Sequence, residues 1–131
     1  MFMKSFEKHA YALLRIVSGF LFLWHGSQKL FNIPAVPYNF PAWLKFSAGP
    51  IEFFCGILIM IGLGTRWVAF IASGEMAVAY WYGHATNALL PLANKGELAV
   101  LYCFIFLFIS SMGHGIWSID SLIGKGKGTI E

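Results

Sequence analysis

Charge is what this chain has least of. Asp, Glu, Lys and Arg make up 11% of its 131 residues, against 58% hydrophobic ones; a soluble domain usually carries about 25% charged residues. That deficit excludes water as the main solvent. The nine Lys and Arg residues are scattered, so the net charge of +3 forms no basic run, and no nucleic acid is expected as a partner. Cysteine is scarce too. Cys55 and Cys103 form no C-x-x-C pair, and each sits in an apolar run, which reads as two small buried hydrophobes rather than a redox dithiol. There is no H-E-x-x-H and no E-x-x-H pair of the di-metal bundle type, so no metal site is expected. Internal repeats and low-complexity tracts are absent. The start is basic and then apolar, like a signal peptide, but no A-x-A cleavage site follows; the first apolar stretch is expected to stay as a span.

What is present is four apolar stretches, over about 10–30, 50–63, 67–83 and 97–117. Four spans of about 20 residues leave room only for short connections. The expected fold is therefore all-α: one domain over 1–131, an integral membrane four-helix bundle. Residues 32–41 (NIPAVPYNFP) hold three prolines and must form a loop. Residues 42–48, with Trp43 and Lys45, read as an amphipathic segment at the interface. Pro50 suits a first helical turn, although the helix could begin earlier with a kink there. Residues 62–67 (GLGTRW) read as a tight turn, Tyr80 to Tyr82 as an aromatic belt, 84–96 as a polar loop, and 124–131 (GKGKGTIE) as a solvated tail.

With four spans both termini share a side. That side holds Lys4, Lys8, Arg66, Lys125 and Lys127; the other holds Lys29, Lys45 and Lys95. Five against three places both termini in the cytoplasm and makes the chain a multi-pass protein of the plasma membrane, in bacteria the inner membrane.

Ionisable groups inside a bilayer are costly and face a partner or a cavity. On the first span Arg15, Ser18, Gly19, Phe22, His25, Gly26 and Lys29 follow steps of three and four and share one stripe. Its small residues permit close helix approach, so Arg15, His25 and Lys29 look inward. Gly49, Glu52, Gly56 and Met60 make a similar stripe on the second span. Glu52 is expected in that helix's first turn, at the positive end of its dipole. His25, Lys29, Glu52 and Glu97 fall near the outer ends of their spans, so an outward-opening polar pocket is expected, centred on a His25–Glu52 pair. Glu75 lies nearer mid-membrane. Arg15 is deeper, either a hydrogen-bond hub or a partner of Glu75. His25 and His84 could in principle ligate a haem, but His84 falls on the opposite helix face from Glu75, and haem is not expected.

Residues 15–30 (RIVSGFLFLWHGSQKL), 51–66 (IEFFCGILIMIGLGTR) and the flanks of the fourth span (Lys95-Gly96-Glu97 and Trp117-Ser118-Ile119-Asp120) together resemble the DoxX family over nearly the whole chain. Cys55-Gly56 stands where the family pattern often has two glycines. The family is named for a subunit of a membrane thiosulfate:quinone oxidoreductase, and relatives are linked to membrane oxidoreductase complexes. The resemblance thus implies a small subunit of an oxidoreductase system, working with a protein partner or as a homo-oligomer. Arg15, His25, Gly26, Lys29, Glu52, Arg66 and Glu97 match the family's recurrent polar positions. A quinone would suit apolar walls with a few placed hydrogen-bonding groups. No redox cofactor motif is recognisable, so electrons would come from a partner or a bound cofactor. Two other readings compete: a non-enzymatic assembly subunit whose charges only fix helix pairing, and a small-molecule binder or carrier.

The charge count generates a topology test. Reporter fusions after Glu131 and within 84–96 should report opposite sides of the membrane, the C-terminal one cytoplasmic; two reporters on one side would end the four-span reading.

Overall fold

The computed structural model describes residues 1–124 and is all-α over them. The tail expected beyond Gly124, with Lys125 and Lys127, lies outside the described residues. Four long helices dominate: α1 (Glu7–Phe31), α2 (Ala42–Ile61), α3 (Thr65–Gly83) and α5 (Glu97–Met112). Two short ones, α4 (Pro91–Asn94) and α6 (Ile119–Ile123), occupy the connections, and a 3-10 turn at Phe2–Phe6 leads into α1. The packing runs α1 on α2, α2 on α3, and α3 on α5. Side chains close the ring between α1 and α5, where Phe22 meets Tyr102 and Phe106 at centroid distances of 5.3 and 4.7 Å.

Local chemistry sets the helix ends. Glu7 opens α1 and Lys29 lies in its last turn, both complementing the macrodipole. Asn32 then turns left-handed at φ 56° and returns its N–H to Gln28, a C-terminal role that asparagine fills after glycine. Gly62, at φ 71°, ends α2 in the same way, with Leu63 N–H reaching the Leu58 carbonyl at 2.9 Å.

Two expected boundaries move. The second helix begins at Ala42 rather than Pro50, absorbing the segment read as interfacial. Pro50 lies inside it and forgoes one backbone bond. Ala48 and Gly49 are buried there, and a Cβ on Gly49 would stand 3.2 Å from the Leu30 side chain, so packing on α1 keeps the helix continuous. The fourth helix ends at Met112 rather than 117. Gly113 adopts φ 90° and ψ −159°, and Gly115 and Trp117 also have positive φ; such a glycine conformation cannot continue a helix.

The α1–α2 seam is the tightest in the molecule. A Cβ added at Gly19 would lie 2.6 Å from the Met60 amide nitrogen, and one at Gly56 would lie 2.6 Å from that of Leu23. A Cβ on Gly26 would collide with the Phe53 backbone. Both small-residue stripes therefore line helix contacts, as their spacing predicted, and the structure shows that they face each other.

The outer surface is apolar. Leu13, Val17, Phe20 and Leu21 on α1, Phe54 on α2, Trp67, Phe70 and Ile71 on α3, and Leu101, Phe104 and Phe108 on α5 are all exposed, while Arg15 and Glu52 are buried. Among the described residues α2 is the one helix both long and apolar enough to cross a membrane by length and composition alone.

Because the Gly56 obstacle is backbone, Gly56→Ala should destabilise the solubilised protein by about 1–3 kcal/mol through overpacking. Gly74, with nothing within 4 Å of a would-be Cβ, is the control. Gly74→Ala should be neutral or stabilising, by up to about 1 kcal/mol. Thermal denaturation of both variants measures the contrast; equal melting temperatures would contradict the seam.

Candidate functional site

The buried charges gather at the two ends of the bundle. At the end bearing the proline loop, Lys29 Nζ donates to Glu52 Oε1 at 2.9 Å, with side-chain exposures of 14% and 2%. The Phe40 ring roofs the ammonium at 5.3 Å, a cation–π contact. The Glu75 carboxyl, from α3, lies within hydrogen-bonding reach of Glu52. Its Oε1 is sealed from solvent and receives no hydrogen bond from any donor among the described residues. The cluster thus comprises one lysine and two carboxyl groups from three helices.

Glu52 does not sit where its sequence position suggested. With α2 starting at Ala42, it is about three turns in and gains nothing from the helix dipole. Its partner is also different: the structure gives it Lys29 and not His25. His25 turns instead to Tyr102 of α5, edge-on at 5.7 Å. The long lysine stem reaches across the seam, while the shorter imidazole stays on the α5 side. His25 and Tyr102, with Leu21, Trp24, Gln28 and Leu98, line a groove of about 310 Å³ between α1 and α5.

Glu97 is exposed in the first turn of α5 and lies outside the cluster. His84 caps the end of α3; its Nδ1 lies 3.2 Å from the Asn94 carbonyl and its ring stacks on Tyr80. Asn94 was not singled out in the sequence. Buried, it donates to the Tyr80 hydroxyl and the Ala88 carbonyl and accepts from Gly96 N–H, tying the polar loop to α3.

At the end bearing the chain termini, Arg15 is the hub and not a partner of Glu75. Its guanidinium, fully buried, donates to four carbonyls: Ile59 and Met60 at 2.9 and 2.8 Å, Ile116 and Trp117 at 3.0 and 2.8 Å. Two of these close α2, where helix-end carbonyls concentrate negative charge. Asp120 completes the clasp. Its carboxylate accepts from Gly64 N–H and Thr65 N–H, both at 3.0 Å, and from the Thr65 hydroxyl at 3.1 Å. It thereby caps α3 from 55 residues away. Arg66 donates to the Ser110 and Ser111 carbonyls at the end of α5. The Gly-Leu-Gly-Thr-Arg turn and the Trp-Ser-Ile-Asp segment, two separate patterns in the sequence, are one contact.

Set beside known proteins, the chain matches the DoxX family model over residues 10–85, that is, from α1 to just past α3. A Haemophilus influenzae protein carrying the name "Uncharacterized protein" is 37% identical over 132 residues, covering 94% of this chain and 97% of its own. A Bacillus subtilis protein named "Putative oxidoreductase CatD" is 25% identical over 129 residues, covering 95% and 93%. No solved structure matches the chain.

Asp120 supplies the pH test of the clasp. Burial by itself would raise its pKa, but the Thr65 and Gly64 amides, the Thr65 hydroxyl and the nearby His114 hold it below the usual carboxylate range. A folded value below the unfolded one, about 3.9, means stability present above that pH and lost as pH falls through the folded value. Asp120→Asn should therefore melt below the wild type at neutral pH, with the gap closing below about pH 4. A gap independent of pH would remove the carboxylate from the clasp.

Proposed function

The chain belongs to the DoxX family, and from that membership and its buried charges we propose that it is a small membrane subunit of an oxidoreductase system, binding a quinone-like ring in the groove between α1 and α5. The observation that carries the reading is the Lys29–Glu52–Glu75 cluster, set in an apolar bundle beside that groove.

The membrane part of the proposal rests on where charge and apolar surface lie. Each long helix turns an apolar face outward, while Arg15, Lys29 and Glu52 are turned in, the reverse of a soluble bundle. At 1.5 Å per residue, α1, α2 and α3 are about 28–37 Å long, against about 30 Å of hydrocarbon. Charges lower the hydropathy of α1 and α3, but those away from their own helix termini, Arg15 and Glu75, face the bundle. Lys29 is neutralised inside by Glu52 and drops out of the loop count, leaving five cations against two, which favours cytoplasmic termini.

The groove has the make-up such a ring requires. Leu21, Trp24 and Leu98 give apolar walls, and His25, Gln28 and Tyr102 give hydrogen-bonding groups. Its volume falls at the lower end of the roughly 300–1,000 Å³ of small-molecule sites. It lies on the flank of the bundle, so a lipophilic ligand would enter from the bilayer. The ligand's electrons would pass to a partner protein. The B. subtilis relative named "Putative oxidoreductase CatD" supports that class. The Arg15 and Asp120 clasp favours a second reading, a non-enzymatic assembly subunit, because there the ionisable groups serve helix pairing alone.

Trp24 reports on the groove directly. In nanodiscs, a short-chain benzoquinone should quench tryptophan fluorescence saturably. The saturable part should vanish in Trp24→Phe and weaken at least tenfold in affinity in His25→Ala. Quenching that is linear in quinone and identical in all three proteins would favour the assembly reading, as would mass spectra showing a co-purified protein partner and no quinone.

A further inference from the structure

The ion pair of Lys29 with Glu52 leaves a second carboxyl group unaccounted for. Glu75 reaches Glu52, and its buried Oε1 has no donor among the described residues. Two carboxylates in contact cannot both stay ionised in an apolar interior. A proton on one of them gives the pair a donor of its own, and with it a carboxyl–carboxylate hydrogen bond. We propose that Glu52 and Glu75 bind one exchangeable proton between them, with Lys29 balancing the remaining negative charge, so that the bundle holds a resident proton-binding site against its groove.

Charge arithmetic makes the singly protonated state the resting one. With Lys29 cationic, the cluster carries −1 with no proton, 0 with one and +1 with two. Either departure from zero places an uncompensated charge in low dielectric, which costs several kcal/mol. The groups around the dyad come from every long helix. Lys29 lies on α1, with His25 one turn before it; Cys55 follows Glu52 on α2 and lies near Glu75; Tyr102 of α5 lies near Glu52. His25 and Tyr102 also line the groove, so Tyr102 neighbours both the dyad and whatever occupies the groove. A ligand arriving there with its own charge would move the balance point and draw a proton in or push one out. The site belongs to the pair, and neither residue owns the proton. It rests on the membrane-bundle reading but not on the identity of the groove's ligand.

Infrared spectroscopy of the protein in dodecyl maltoside, which has no carbonyl of its own, tests this without any ligand. The chain has six acidic residues. Glu7 and Glu97 are exposed, and Asp120 is held as carboxylate by its donors. At neutral pH the wild type should show a protonated-carboxyl stretch that shifts in D2O and disappears at high pH. Glu75→Gln and Glu52→Gln should each lose it, because the remaining carboxylate then pairs with Lys29 alone; circular dichroism checks that both stay helical. Absence of the band in the wild type, or its survival in both variants, would overturn the proposal. A band that resists both D2O and alkali would also overturn it, by reducing the dyad to a fixed structural bond. The quinone titration has its own readout in Trp24, so failure of the groove reading and failure of the dyad are separable.

Discussion

Backbone-to-backbone approach of α1 and α2 is the constraint from which the rest follows. Gly19, Gly26 and Gly56 admit the opposing main chain where a Cβ could not fit. In the bilayer we propose for it, apolar helices have little hydrophobic drive to associate, and close van der Waals packing takes its place. The seam also fixes distance. It brings Lys29 across to Glu52 at 2.9 Å and sets the Arg15 guanidinium under the last carbonyls of α2. A wider seam would leave both cations buried without partners.

The two ends of the seam use charge differently. At the end bearing the termini, every acceptor around Arg15 is a backbone carbonyl, and the Asp120 carboxylate is met by backbone amides and one hydroxyl. The buried Arg15 Nε has no acceptor among the described residues, but a guanidinium keeps its protons, so no proton needs to move there, and the polar groups close helix ends that would otherwise stay open. At the other end, Lys29, Glu52 and Glu75 are side chains on three different helices, with one oxygen lacking a donor. That end carries chemical freedom; the first end carries geometry. Family relationship and burial pattern bear on the whole chain, but the division of labour is visible only in the contacts.

The sequence announced much of this. The glycine stripes, the inward face of α1 and the breaks at the prolines and at Gly62 are periodic or local signals, and both survive into the fold. That Arg15 needs buried partners was legible, but periodicity left open whether backbone carbonyls or Glu75 supply them. The misreadings share one origin, which is that tertiary contact decided between local alternatives. Pro50 looked like a helix start, and packing at Gly49 carried the helix through it, moving Glu52 from first turn to interior. His25 and Lys29 sit on the same stripe, and only side-chain reach decides which meets Glu52. Asp120 carried no local sign of its role, because its partners are 55 and 56 residues away. Glu75 was singled out singly; that it meets Glu52 depends on the rotation of α3, which periodicity alone does not fix.

Arg15 leaves the ribosome early and two of its four acceptors leave late. Ile59 and Met60 arrive with α2, but Ile116 and Trp117 arrive 101 and 102 residues after Arg15. Through most of synthesis α1 therefore carries a half-satisfied cation, which in the bilayer we propose for it is costly. Gly64 and Thr65 wait likewise for Asp120. A segment made about a hundred residues later thus completes α1, and a chain cut short before residue 116 lacks the groups that close that helix. Order of synthesis and final stability are thereby tied together at one side chain, whose four carbonyl contacts exist together only after residue 117 has joined the chain.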